Sequence, residues 1–160
     1  MIKRARAAAM FMLISLFLGG CMTDSNTVFD EFHEVNIKKW SWHEPQTFVF
    51  EVKEDNYVYD MVCGLRISGS YAYSNIWLLY TVEGPDTKIK QQFQIALSDK
   101  TGKWLGKGMS NLLSYEQPIL GNIKLKKGKY TVKISQNMRE EELAAVSDLG
   151  LKIIKGSKIY

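Results

Sequence analysis

Cysteine, histidine and proline are scarce in this chain, at two, two and three residues among 160. A zinc site draws three or four ligands from His, Cys, Asp and Glu at characteristic spacings. His33 and His43, each followed by a glutamate, have no His-Glu-x-x-His arrangement and no cysteine pair beside them. They read as surface or hydrogen-bonded structural histidines, and no metal or cofactor is expected. The cluster Gly102-Lys103-Trp104-Leu105-Gly106-Lys107-Gly108 lacks the Gly-x-x-x-x-Gly-Lys-Ser/Thr order that cradles phosphate. A loop or hairpin tip is expected there, with Trp104 packed back on a sheet. No Gly-x-Ser-x-Gly or Ser-x-x-Lys stands in a convincing setting, and Ser68-Gly69-Ser70 lacks the strand-turn-helix context of a nucleophile elbow. No residue qualifies as catalytic, and the chain does not read as an enzyme. Pro/Ser linkers, internal repeats and low-complexity stretches are also missing.

An apolar run long enough to span a bilayer, ~20 residues, is absent too. In its place stands an apolar run, Ala7 to Leu18, behind the basic head Met1-Ile2-Lys3-Arg4-Ala5-Arg6 and ahead of Gly19-Gly20. That is the grammar of an export signal that is cut away. Leu18-Gly19-Gly20-Cys21 has the lipobox order, a branched apolar residue and two small ones before the cysteine, and so resembles the bacterial lipoprotein signal. Residues 1–20 are therefore expected to be a lipoprotein signal peptide. Cys21 is expected to be the lipidated mature N-terminus that holds the protein to a membrane, and residues 21–26 a short polar tether.

Two absences follow from this reading. Processing removes three of the 21 cations and none of the 17 acids, which leaves the mature chain one cation in excess. A nucleic-acid partner, which calls for a concentrated basic patch, is not expected. With Cys21 acylated, Cys63 is left without a disulfide partner. It alternates with Met61 and Leu65 and reads as a small buried hydrophobe.

What the chain does have is period two, the signature of half-buried strands. Phe48, Phe50 and Val52 share one face of 47–53. Tyr57, Tyr59, Met61, Cys63, Leu65 and Ile67 share one face of 57–68, with Asp60 and Arg66 on the other. Glu54-Asp55-Asn56 is turn chemistry, so these two runs are expected to form a hairpin. A second hairpin is expected from 73–82 and 87–98 around Glu83-Gly84-Pro85-Asp86. A third is expected from 119–125 and 130–136 around Lys126-Lys127-Gly128-Lys129, where glycine can take positive φ. Only Arg139 to Val146 suggests a helix, of two turns at most, before strand returns at 149–154. Residues 27–160 are thus expected to be one all-β domain, an antiparallel β-sandwich of seven to eight strands with jelly-roll or Greek-key-like connections.

Aromatic pairs at period two, Trp40-Ser41-Trp42 and Tyr71-Ala72-Tyr73, place two rings on one side of an extended chain. Core or cross-strand packing is the commoner use of such a pair. The sharper uses are a sugar-stacking platform or an anchor for a protein partner. Trp40, Trp42 and Trp104 are the candidate partner-binding aromatics. Arg66, and Arg139 ahead of three glutamates, are expected in structural ion pairs.

Four segments carry a further resemblance: Arg66 to Asn75 with Tyr71-x-Tyr73-x-Asn75-Ile76, then Gly102-x-Trp104-x-Gly106-x-Gly108, then Gln136-Asn137-Met138-Arg139, then Leu149-Gly150-Leu151. In order and distance they are similar to the gliding motility lipoprotein GldH family, over essentially the whole mature chain. The resemblance implies an outer-membrane lipoprotein facing the periplasm, a non-enzymatic component supporting gliding motility and the associated type IX protein secretion machinery, with protein partners in that complex. It brings no catalytic residue. The alternative left by the residues alone is a lipid-anchored carbohydrate- or peptidoglycan-binding sandwich using Trp40, Trp42, Tyr71 and Tyr73. That alternative needs the four rings exposed in a row. A hydrolase would need a deep polar pocket around His33 or His43.

Overall fold

A run in which every second residue is apolar can seal only one face from water. The segment Tyr57–Ser68 does so as one strand with Tyr59, Met61, Cys63, Leu65 and Ile67 buried. The computed structural model describes residues 25–108 and 111–160. The described residues form ten strands and no helix: β1 Thr27–Glu34, β2 Trp40–Ser41, β3 Gln46–Val52, β4 Tyr57–Ser68, β5 Asn75–Gly84, β6 Thr87–Ala96, β7 Leu112–Lys124, β8 Gly128–Gln136, β9 Glu142–Leu143 and β10 Val146–Lys158. They assemble into two four-stranded sheets, β1-β10-β4-β7 and β3-β8-β5-β6, and a small ladder, β2-β9. Every pairing is antiparallel.

Without the two-residue β2 and β9, the long strands in chain order run first, eighth, third, sixth in one sheet and second, seventh, fourth, fifth in the other. This is the order of a jelly roll. The inner faces meet in one core built from Phe48, Leu65, Ile67, Ile76, Leu78, Val132, Ile134, Leu149 and their neighbours. Each such side chain contributes ~1.5–3 kcal/mol on leaving water. The buried tyrosines keep their hydroxyls partnered, as buried polar groups must. Tyr80 donates to Gln91 Oε1 at 2.7 Å, Tyr115 to the Leu97 carbonyl at 2.9 Å and Tyr130 to the Lys126 carbonyl at 2.9 Å. Cys63 is fully buried, and burial pushes its thiol up to about 12.

Of the three expected hairpins, only the second forms. β5 and β6 pair throughout, closing with Gly84 opposite Thr87. The first and third do not: β3 pairs with β8, while β4 pairs with β10 and β7. The turns at 53–56 and 125–127 instead carry the chain from one sheet to the other. Turn chemistry reverses the chain direction in either case and carries no information on which sheet receives the next strand. Gly128 does take positive φ, 146°, which lets this turn lie against Pro85 of the β5–β6 turn, 2.7 Å from where a Cβ would stand.

The expected helix at Arg139 to Val146 is replaced by a loop, the short β9 and the start of β10. Its backbone groups are satisfied elsewhere. The Gln136 amide takes the carbonyls of Glu140 and Glu141 at 2.9 and 3.1 Å, and β9 pairs with β2. Ala145, at φ 67°, donates to the Ile37 carbonyl and accepts from the Ser68 amide. Two turns of helix are marginal alone, and burial of Leu143 beside Trp40 favours the strand pairing.

The two ends of the sandwich differ. Thr27 at the start of β1 faces Ile154, and Tyr57 at the start of β4 faces Lys158. The chain therefore enters at the pole that also holds the β3–β4, β5–β6 and β7–β8 turns. The connections 35–39, 42–45, 69–74, 97–108 and 137–141 gather at the opposite pole, with the β2-β9 ladder.

Candidate functional site: the loop pole and its groove

Gln136 is the buried polar residue that builds this pole, at 2% exposure. Its two amide hydrogens go to the Glu140 and Glu141 carbonyls, and its Oε1 accepts from the Met138 amide at 2.8 Å. A buried amide left unpaired is costly, so the chain from 137 to 141 wraps around this side chain. That wrapping sets Asn137, Met138, Arg139 and Glu140 against the first residues of β5.

A groove of about 410 Å³ lies between them, with Tyr73, Asn75 and Trp77 on one wall and Asn137 to Glu140 on the other. Trp77 is 37% exposed on the outer face of its sheet, opposite Gln94 of β6. The β5–β8 ladder breaks here. The Asn137 amide still reaches the Trp77 carbonyl at 2.8 Å, but the Trp77 amide donates to the Met138 sulfur at 3.2 Å. A thioether is a weak acceptor. Tyr73 donates its phenol hydrogen to Glu140 Oε1, and that bond raises the Tyr73 hydroxyl above its ordinary value. Tyr71 packs edge-on to Tyr73 with ring centres 5.7 Å apart and is itself buried. Burial, then Tyr73 and Glu140, raise its phenol as well.

Arg139 lines the groove without an ion-pair partner among the described residues, contrary to the structural pairing expected for it. Arg66 does pair, with Asp148 at 3.7 Å, and stacks over the Phe32 ring at 4.1 Å.

The candidate aromatics reach the same pole but differ in access. Trp40 is 1% exposed, with its indole nitrogen donating to the Glu44 carbonyl at 3.0 Å, so it offers no surface to a partner. Trp42 is 41% exposed and meets His43 edge-on. Trp104 is half-buried against the core and bridges to Ser98, as expected for a tip folded back on the sheet. Its loop is held by Asp99, which accepts from Thr101 Oγ1, the Thr101 amide and the Lys103 amide. The Thr101 hydroxyl, and then these backbone bonds, hold the Asp99 carboxyl below its usual range.

With Trp40 and Tyr71 buried, the four rings proposed for stacking sugar form no exposed row. His33 stacks on Phe48 with ring centres 4.4 Å apart, and His43 lies at the surface 4.0 Å from Glu141. No group of three possible metal ligands assembles among the described residues. Cys21 lies outside the described residues. Trp77 and Met138 were not among the expected site residues. Period two from Tyr73 to Val82 does set Tyr73, Asn75 and Trp77 on the face opposite Ile76, Leu78 and Tyr80, and that signal marks Trp77 as outward.

Fold and site together define a jelly-roll β-sandwich with an aromatic groove at the pole away from the start of β1. The chain belongs to the GldH lipoprotein family, whose sequence profile matches residues 27–153. It is 27% identical to a gliding motility lipoprotein GldH homolog of Christiangramia forsetii, over 96% of this chain and 98% of that one. It is 28% identical to the gliding motility lipoprotein GldH of Flavobacterium johnsoniae, over 94% and 97%. Among solved structures, a family 35 carbohydrate binding module from an environmental isolate matches 87% of this chain and 82% of its own at 12% identity, with a TM-score of 0.35. That likeness is too distant to carry a ligand over. Two of the segments that carry the family resemblance, Tyr71 to Asn75 and Gln136 to Arg139, lie far apart in sequence and meet at the groove.

Proposed function

We propose that this protein is a lipid-anchored, non-enzymatic component supporting gliding motility and the associated type IX secretion machinery. In this reading Cys21 carries the lipid at the outer membrane, on the periplasmic side, and the loop pole is presented to protein partners. The polarity of the domain is the observation that carries it. β1 begins at Thr27, six residues after Cys21, a span of at most ~20 Å. The entry pole therefore faces the membrane, and the pole with Trp42, Trp104 and the Trp77 groove faces away. Acyl chains contribute ~0.8 kcal/mol per buried methylene, and more than one chain makes anchorage stable.

The test is replacement of the chromosomal gene by a Cys21→Ser variant. Unprocessed precursor, a protein without acyl mass, and loss of spreading are the expected results. A processed, acyl-free protein that still supports motility would overturn the anchored reading. Detergent extraction of the native protein, followed by size separation, should recover it in a complex larger than itself. A monomeric extract that hydrolyses a cell-wall substrate would overturn the non-enzymatic one.

A further inference from the structure

The groove between β5 and the end of β8 has three properties that single it out. It exposes an indole, Trp77, beside the flexible thioether of Met138, the residue types enriched where proteins bury an anchor. Its floor carries a main-chain donor, the Trp77 amide, held only by sulfur at 3.2 Å. A peptide carbonyl is a far better acceptor. It also holds a cation without an ion pair: Glu140 keeps its charge while accepting from the Tyr73 phenol, and Arg139 beside it has no ion-pair partner among the described residues. On the same outer face Lys133 and Lys90 flank Thr81, again without ion pairs.

We propose that this groove binds an extended, acidic peptide segment of a protein partner. One apolar side chain of the segment sits between Trp77 and Met138, and a neighbouring carboxylate lies on Arg139. The proposal rests on the reading of this domain as a protein-binding component and specifies where and what it binds. A neutral saccharide would use the indole face but would leave Arg139 and the lysines unmatched, and it has no need of the Met138 wall. Extended segments are commonly held by main-chain hydrogen bonds with pockets for alternate side chains, which is what a strand end whose donor is held only by a thioether supplies.

The purified lipoprotein in detergent is immobilised and panned against a random linear peptide library displayed on phage. Enriched sequences should pair an aromatic or large aliphatic residue with Asp or Glu. A synthetic peptide of the consensus should bind about thirtyfold more weakly to a Trp77→Ala variant, the loss typical of an aromatic anchor, and nearly normally to Trp77→Tyr. Arg139→Glu should redirect selection to Lys- and Arg-containing peptides, which a merely structural arginine would not do. Melting curves matching the parent confirm that each variant is folded. Enriched peptides that lack an acidic preference, or that bind both variants unchanged, remove the groove and leave protein binding elsewhere intact. Failure to enrich any peptide overturns the proposal. If soluble peptidoglycan fragments then bind in a Trp77-dependent way, the protein-binding reading falls with it.

Discussion

On the outer face of the β1-β10-β4-β7 sheet the surface groups answer one another, whereas on the β3-β8-β5-β6 sheet, apart from Gln92 accepting from the Asn137 side-chain amide at 3.0 Å, several face water alone. On the first, Gly64 and Gly150 stand opposite each other in register, and the Phe32 ring covers both, within 2.5 and 2.6 Å of where their Cβ atoms would be. Arg66 lies over that ring, and Lys152 is held between Asp30 at 3.5 Å and Glu116 at 3.3 Å. On the second, Val49, Trp77, Lys90 and Lys133 are not engaged in this way: Val49 is 43% exposed, and neither lysine has an ion pair among the described residues. The contrast separates a surface finished by its own residues from one left for something else. It also explains why an exposed aromatic alone is a poor guide. Phe32, at 38% exposed, already has its partners on the same sheet.

If the contrast is confined to the outer faces, inward positions should cost the same on both sheets. Leu65→Ala in β4 and Leu78→Ala in β5, both fully buried, should each lose ~2–5 kcal/mol in urea unfolding. A large difference between them would mean that the sheets are not held by one core. Cys63 is a convenient reporter for this. Its thiol stays neutral well above the ordinary range, so a thiol reagent at pH 8 should label it only as the domain unfolds, faster in both variants. Because its folded value is raised to about 12, the associated stability is complete below the ordinary thiol value and is lost as pH climbs toward that figure.

Phe32→Ala should come next, at about 1–2 kcal/mol, because it uncovers the paired glycines and removes the Arg66 stack. Differential scanning calorimetry reads this directly, and an unchanged melting temperature would show that the ring is not a structural cover. Lys152→Ala should cost at most ~1 kcal/mol, since its pairs are partly exposed, and the loss should shrink in high salt. On the open face, Trp77→Ala and Lys133→Ala should leave stability within ~0.5 kcal/mol. A substantial loss for either would place it with Phe32 as a structural residue and blur the distinction between the two faces.

Much of the fold was legible because alternation reports burial directly. β4 was expected at its observed bounds with its inward residues named, the β5–β6 hairpin was expected around Gly84, and Gly128 was assigned its positive φ. The misplaced hairpins share one cause. Inward-facing residues such as Phe50 and Tyr59 obey the same pattern in whichever sheet they stand, so the pattern carries no sheet address. The helix expected near Arg139 failed because short-range propensity is weak, ~0.7 kcal/mol per residue at most for ordinary residues, against a buried glutamine and a ladder supplied by distant residues. For the site, Trp42 and Trp104 were named as candidate partner-binding aromatics, and the fold sets both at the loop pole. Trp40 follows the commoner use of a period-two ring pair, core packing, with Leu143 and Glu44 closing around it; which ring of the pair is buried was not recognisable from the spacing.

Residue order by itself therefore determined most of the long strands and their buried faces, the inert environment of Cys63 and membership in a lipoprotein family, because these depend on local periodicity or on motifs read along the chain. Tertiary structure alone decided which strands share a sheet, at which pole β1 begins and that Tyr73, Trp77 and Arg139 meet in one groove. Those outcomes depend on contacts between segments some sixty residues apart, whose free energy appears only once the two sheets have closed on a common core.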